Sequence, residues 1–467
     1  MKREETIFYS GLLFYTLTLL ALALFTNGMA GGGDSIYHYL FAKYSWTYHE
    51  IFFDHWAKPA FTIISSPFAQ FGYQGVKVFN VLVAILACYF TFKTAKQLSI
   101  RNAFLVVFFY FSATFNVTIT LSALTEPLFA LVLILSIYFY VKQKPLAGTL
   151  IISFLPFVRS EGLVVLCVFV VYLLLTKKFK FIPLLLAGHF IMGVAGYFYY
   201  GDILWVFNKI PYAENFHNYG SGTWEHFIIQ LEFMIGPILY SLLALGGIGF
   251  IVSIKKNYQE QYFIEKLILL YGVFIGFFFA HSAFWALGIF NSLGLSRVFV
   301  GVMPLMAIIS IEGLNVITQL FKNELTRKIV FVFLVSAVLI FPFLKNPASF
   351  NFKNDFGYNN GQLMIKEQII PYLQTKYPSC KIYSSVVDFP FYMNIDPINR
   401  SLYAEFKHLK PDYILKQNEV AIWDNWSAVV EEHVSEQTLR DYLKADTVFQ
   451  ITNDGGDVKR YVIFVKK

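Results

Sequence analysis

Residues 1–38 read MKREETIFYSGLLFYTLTLLALALFTNGMAGGGDSIYH, and this stretch decides the class of the chain. Residues 7–25 run without a charge for about the length a helix needs to cross a bilayer. Lys2 and Arg3 precede them, which favours a cytoplasmic start. Gly28 to Gly33 is small enough to imitate a signal-peptide cleavage site, but the polar residues just beyond it favour an uncleaved first helix.

Composition extends that reading to the whole chain. Of 467 residues, 57% are hydrophobic, 19% aromatic and 14% charged, against about 25% charged in a soluble domain. With 52 Phe and 30 Tyr, too few polar side chains remain to cover a soluble core. Disorder, coiled coil, collagen and a disulfide scaffold are excluded. Cys88, Cys167 and Cys380 suggest neither a disulfide framework nor a CxxC metal site. The net charge of +7 fits cytoplasmic loops better than a nucleic-acid partner, and no nucleic acid is expected.

Hydropathy predicts about eleven spans: 7–25, 75–92, 103–121, 127–141, 145–158, 162–175, 181–200, 227–254, 267–281, 298–317 and 329–344. Alternate loops hold sixteen lysines and arginines on one face against six on the other before the C-terminal region. That bias puts the N-terminus in the cytoplasm and everything after Leu344 outside. The expected architecture is an α-helical polytopic membrane domain over 1–344 and a small extracytoplasmic α/β domain over 345–467. In the latter, 362–376 reads as a helix kinked at Pro371, and 427–444 as an amphipathic helix. Residues 381–387, 413–415, 447–452 and 460–465 read as strands.

Chemistry-bearing side chains collect on the predicted outer face, in loops 26–74 and 201–226 and in tight turns. Asp34 lies near the start of a helix with His38 one turn on, on the same face. It is either an N-cap or a general base toward a sugar hydroxyl, and with His38 it could also bind a divalent metal. Asp54, His55 and Lys58 sit among aromatics, as in a carbohydrate site or an interfacial belt. Glu126 in Thr-Glu-Pro and Glu161 in Arg-Ser-Glu-Gly mark two tight turns. Arg159 in the second turn would either pair with Glu126 or Glu161, or bind phosphate oxygens bidentately. Arg297 offers a second cation or an interface anchor. Glu214 and His217, three apart, form a weak metal-ligand pair.

Together these motifs resemble the GT-C glycosyltransferases, multi-span enzymes that use sugars linked to polyprenyl or dolichyl phosphate. The matching features are Asp34 in the first outer loop, Thr125-Glu126-Pro127, Arg159-Ser-Glu-Gly162 and Tyr200-Gly-Asp202. Ser296-Arg297 before a Pro304-containing span and the C-terminal α/β domain complete the set. The chain is similar to the mannosyltransferase branch but departs from its His-Pro-Asp-Glu form, since Gly33 and Ser35 flank Asp34. The resemblance implies Asp34 as the catalytic acidic residue and Arg159 and Arg297 as lipid-phosphate contacts.

The expected activity is transfer of a hexose from a polyprenyl-phosphate-linked donor, with inversion. The acceptor would be a hydroxyl on an envelope glycan or lipid, at the outer face of a bacterial inner membrane. His38, Asp54, His55, Lys58, Glu126, Arg159, Glu161 and Arg297 are expected to bind substrate. Partners would be the lipid-linked donor, the acceptor and membrane lipid. No cofactor is required by the sequence, and a divalent metal is left open. The rivals are a transporter or lipid-glycan flippase, and an envelope scaffold working through its C-terminal domain. Charges gathered at one face, without matching halves, favour the enzyme.

Overall fold

A computed structural model describes residues 2–210, 219–344, 349–350, 352, 355–357, 360–409, 413–443, 445–452 and 459–466. They form two compact units. One comprises Met1–Ala30 with Phe41–Gly357, the other Gly31–Leu40 with Tyr358–Lys467. The helix Gly32–Tyr44 is thus shared, and through Leu40 it groups with the second unit.

In the first unit, seven helices among the described residues are long and apolar enough to cross a membrane. These are Arg3–Phe25, Gly72–Gln97, Phe179–Tyr200, Pro237–Lys255, Glu265–Ala286, Ser296–Gln319 and Glu324–Phe343. Several of these helices expose large apolar side chains such as Leu13, Phe14, Leu17, Val332 and Phe333, as a lipid solvent allows. The predicted span 103–121 is bent by 73° between Ala103–Ser112 and Thr114–Thr120. Ala113 is extended there, and the Asn116 amide donates to the Tyr110 carbonyl at 2.8 Å, satisfying a group the break leaves open. The predicted 227–254 divides at Gly236, whose φ of 80° and following Pro237 end one helix and start the next. Glu126–Val141, Pro145–Val158 and Gly162–Leu175 are shorter apolar helices.

Two polar groups at the core of this unit shape its loops. Asn80, fully buried on Gly72–Gln97, donates to the carbonyls of Ser122 (2.7 Å) and Leu124 (2.8 Å). This clamps the turn that leads into Thr125 and Glu126. Lys77, also fully buried, donates to the carbonyl and hydroxyl of Thr26, both at 2.7 Å, and so fixes the exit of the first helix.

The second unit holds a five-stranded sheet in the order β2-β1-β3-β5-β4. Here β1 is Lys381–Tyr383, β2 Tyr403–Ala404, β3 Glu419–Asp424, β4 Ala445–Thr452 and β5 Lys459–Lys466. β1 pairs in parallel with β2 and β3, while β5 runs antiparallel to β3 and β4. Alternation sends Ile382, Val420, Ile422 and Ile463 to a layer with Ile365, Ile369 and Leu373. Tyr383, Ala421, Trp423, Val462 and Phe464 pack on the other side with Leu439 and Leu443. Residues 413–415, expected as a strand, are irregular, and the central strand is 419–424 instead. That strand is buried along its whole length, so it lacks the alternation that betrays a half-exposed strand. The expected helix 427–444 is a π-helical turn, Ser427–Glu431, followed by Glu436–Leu443.

Candidate functional site

The two tight turns meet in the first unit. Glu126 opens the helix Glu126–Val141 with Pro127 in its first turn, where the missing N–H costs nothing. Arg159 follows the short helix Leu155–Val158 in an extended conformation, and Gly162 begins the next helix. A Cβ on Gly162 would stand 2.6 Å from the Leu155 carbonyl carbon, so the return must be made by glycine.

Within this corner the Arg159 guanidinium is fully directed. Nη1 donates to Glu126 Oε1 at 2.7 Å and to Thr125 Oγ1 at 3.1 Å, and Nη2 donates to Glu161 Oε1 at 2.8 Å. Arg297, at the start of Ser296–Val302, brings Nε to 3.3 Å from the same Glu126 oxygen. Glu126 is wholly buried and Arg297 is 8% exposed, so both charges lie out of water. The second Glu126 oxygen has no hydrogen-bond partner among the described residues.

The Glu161 carboxyl feels two opposed effects. Burial alone would raise it, but Arg159, with His281 and Lys58, outweighs burial and holds it down at about 2. Lys58 is 6% exposed and adopts φ 61°, a left-handed backbone unusual for lysine. Such strain costs of order 1–3 kcal/mol and persists only where its surroundings enforce it. Three cations (Lys58, Arg159, Arg297) and two carboxylates (Glu126, Glu161) thus belong to this water-poor corner, where fixed guanidinium groups suit the oxygens of an anion such as a phosphate.

Asp54 and His55 have local duties. Asp54 is exposed, and its Oδ1 accepts from the backbone N–H of Trp56 (2.6 Å) and Ala57 (3.1 Å), closing the turn that presents Lys58. The His55 ring lies 5.1 Å from that of Trp205 and 6.4 Å from that of Phe157. Burial and then the Lys58 charge push its imidazole down to about 4, leaving it neutral near pH 7. Trp205 itself is fully buried, its indole N–H donating to the Met192 carbonyl at 3.0 Å.

Asp34 and His38 belong to the second unit. Gly31 and Gly32 have φ of 83° and 55°, so the chain can turn into the helix Gly32–Tyr44 with Asp34 in its first turn. His38, 5% exposed, follows one turn later. The Tyr37 hydroxyl donates to Glu405 Oε1 at 3.2 Å, and Tyr39 meets Phe391 edge-on at 5.8 Å. Burial, then Tyr403 and Glu405, push the Tyr37 phenol well above its ordinary range, so it remains a donor.

The structure thus gathers Lys58, Glu126, Arg159, Glu161 and Arg297 in one unit and places Asp34 and His38 in the other. Glu214 and His217 lie outside the described residues. Among the described residues, no three His, Cys, Asp or Glu side chains group as metal ligands. Sequence reasoning overlooked Glu405 and the Thr125 hydroxyl as partners. Thr125 was signalled by its adjacency to Glu126, whereas Glu405 lies 368 residues from Tyr37 and had no signal.

No family model matches the chain, and no curated protein matches it in sequence. Among solved structures it is similar to ArnT from Cupriavidus metallidurans, a crystal structure bound to undecaprenyl phosphate. The TM-score is 0.56 at 12% identity, over 98% of this chain and 97% of that one. At that identity the likeness is one of fold: an α-helical polytopic membrane protein carrying a small C-terminal α/β domain.

Proposed function

We propose that the protein is a membrane glycosyltransferase of the GT-C type. It would move a sugar from a polyprenyl-phosphate-linked donor to an acceptor hydroxyl on an envelope glycan or lipid. The observation that carries this reading is the corner where Arg159 and Arg297 share Glu126 with Lys58 nearby, largely buried guanidinium and ammonium groups of the kind that hold a lipid phosphate. The ArnT structure, alike in fold, contains undecaprenyl phosphate. The motif resemblance to GT-C enzymes and the predicted outward placement of these loops point the same way.

In this reading Asp34 takes the proton of the acceptor hydroxyl, and the oxygen attacks the anomeric carbon from the face opposite the donor phosphate. The bond between that carbon and the phosphate oxygen breaks, and polyprenyl phosphate leaves. Arg159, Arg297 and Lys58 stabilise the charge that develops on the leaving phosphate. The enzyme would sit in a bacterial inner membrane with its N-terminus in the cytoplasm and residues after Leu344 outside.

Transfer from a radiolabelled polyprenyl-phosphate sugar in membranes tests the reading directly. Asp34→Asn, expressed normally, should lose transfer; full activity in that variant would sink the mechanism. The helix broken at Ala113 favours a second reading, a lipid-glycan flippase, since discontinuous spans line transport paths. Lipid translocation in proteoliposomes that survives Asp34→Asn, with no transfer in the wild type, would support it instead.

A further inference from the structure

The second unit carries a cavity that the transferase reading does not use. It is an open cleft beside β1 and β2 of about 580 Å³, lined by Lys381, Tyr383, Arg400, Ala404, His408, Leu409 and Tyr413. That volume is within the range of small-molecule sites. Lys381 and Tyr383 are two apart on β1 and so emerge on one face of the sheet. The Lys381 ammonium stands over the Tyr383 ring, 4.6 Å from its centroid.

Its two aromatic rings are held in place from behind. Tyr383 and Tyr413 have centroids 5.6 Å apart at 58°, and the Tyr383 hydroxyl donates to that of Tyr413 at 3.0 Å. The Tyr413 hydroxyl donates on to Glu419 Oε1 at 2.7 Å, and the Lys416 backbone N–H donates to Oε2 at 2.9 Å. Glu419 is thereby occupied with the tyrosines and the backbone, and Glu405 pairs with Lys407 and accepts from Tyr37. Lys381 and Arg400 are the cations of the lining, and partial desolvation and then the Arg400 charge push the exposed His408 imidazole below its ordinary value.

Fixed aromatic rings pack against the C–H faces of pyranose rings, an imidazole exchanges hydrogen bonds with hydroxyls, and paired cations seek an anionic substituent. We propose that this cavity binds an anionic saccharide, a hexose unit bearing a phosphate or a carboxylate. The site is separate from the Arg159–Arg297 corner in sequence and in unit, and does not depend on the transferase reading. Its ligand could be part of a polymeric envelope glycan or a soluble sugar, because the recognising chemistry is the same.

Equilibrium dialysis of the full chain in detergent tests it, with four probes: glucose 1-phosphate, galacturonate, glucose and inorganic phosphate. A galacturonate oligomer, added as a competitor, distinguishes a glycan source from a monosaccharide by displacing either anionic sugar at lower concentration. Glucose 1-phosphate and galacturonate should each bind at least tenfold more tightly than glucose or inorganic phosphate. Arg400 is exposed, so Arg400→Gln should fold normally and weaken both anionic sugars at least fivefold. Tyr413→Leu should weaken them while leaving phosphate unchanged. Equal affinity for phosphate and glucose 1-phosphate, or indifference to Arg400→Gln, would each overturn the proposal.

Discussion

Glu126 concentrates the electrostatics of the first unit on one oxygen. Arg159 donates to it at 2.7 Å and Arg297 approaches to 3.3 Å, while the side chain has no exposure to solvent. Removing one partner of a buried pair strands the other charge, which costs about 3–5 kcal/mol. Glu126→Gln should therefore lower the detergent melting temperature far more than Asp54→Asn, whose carboxylate is exposed. In a double-mutant cycle, Glu126→Gln with Arg297→Gln should destabilise by less than the two single changes summed, with a coupling of about 0.5–3 kcal/mol. Additive losses would show that the two groups do not interact. His55 allows a pH test of the same corner. Its folded pKa of about 4 lies below the ordinary 6.5, so the unfolded chain binds the extra proton first. Its contribution is present above pH 6.5 and is lost as pH falls from there toward 4. Thermal melts of wild type should decline across that window, and His55→Gln should shrink the decline; an identical pH profile would contradict the buried neutral imidazole. Glu161, held at about 2, stays ionised throughout, so its contribution should not change between pH 5 and 8.

The helices show why some of this could be read from sequence and some not. Arg159, Glu126 and Glu161 were legible because charges in turns only a few residues long, between apolar segments, have few places to go. The break at Ala113 was not, since neither glycine nor proline marks it and the Asn116 side chain takes over the exposed carbonyl. Close packing between helices was equally silent. Gly313 on Met303–Gln319 lies where a Cβ would overlap the Leu242 carbonyl, and Gly246 on Pro237–Asn257 likewise faces the Ile309 carbonyl. Small residues at such a crossing let backbones approach in a solvent that supplies no hydrophobic drive. Gly313→Val should force the pair apart at about 1–3 kcal/mol, measured as a lower melting temperature. Because Arg297 lies on Ser296–Val302, which runs directly into that helix, the Arg297–Glu126 pair should loosen and transfer should fall as well. Gly247→Ala is the control: nothing lies within 4 Å of its added methyl, and it should melt no lower than wild type. Equal effects of the two changes would refute the close-approach argument.

At the scale of the molecule, hydropathy revealed a membrane part and a C-terminal α/β part, because solvent preference is written in composition. It did not reveal that Gly31–Leu40 is built into the second unit. Long-range partnership leaves no local pattern: Tyr37 finds Glu405 across 368 residues, and Tyr39 finds Phe391. The consequence bears on the stretch that carries Asp34. If the second unit orders that stretch, a chain ending at Gly357 leaves Tyr37 and Tyr39 without the partners that hold them. Such a truncated chain should insert and express, yet be cut by added protease between residues 28 and 40 where the full chain resists. It should also lose transfer, although every arginine and carboxylate of the Arg159 corner is retained. Glu405→Gln supplies a milder version that removes no residues. It weakens the acceptor for the Tyr37 hydroxyl, and should raise protease sensitivity at that segment less than truncation does while lowering the turnover rate more than donor affinity. A truncated chain with full transfer and unchanged protection would make the C-terminal unit an accessory and leave Asp34 positioned by the membrane helices instead.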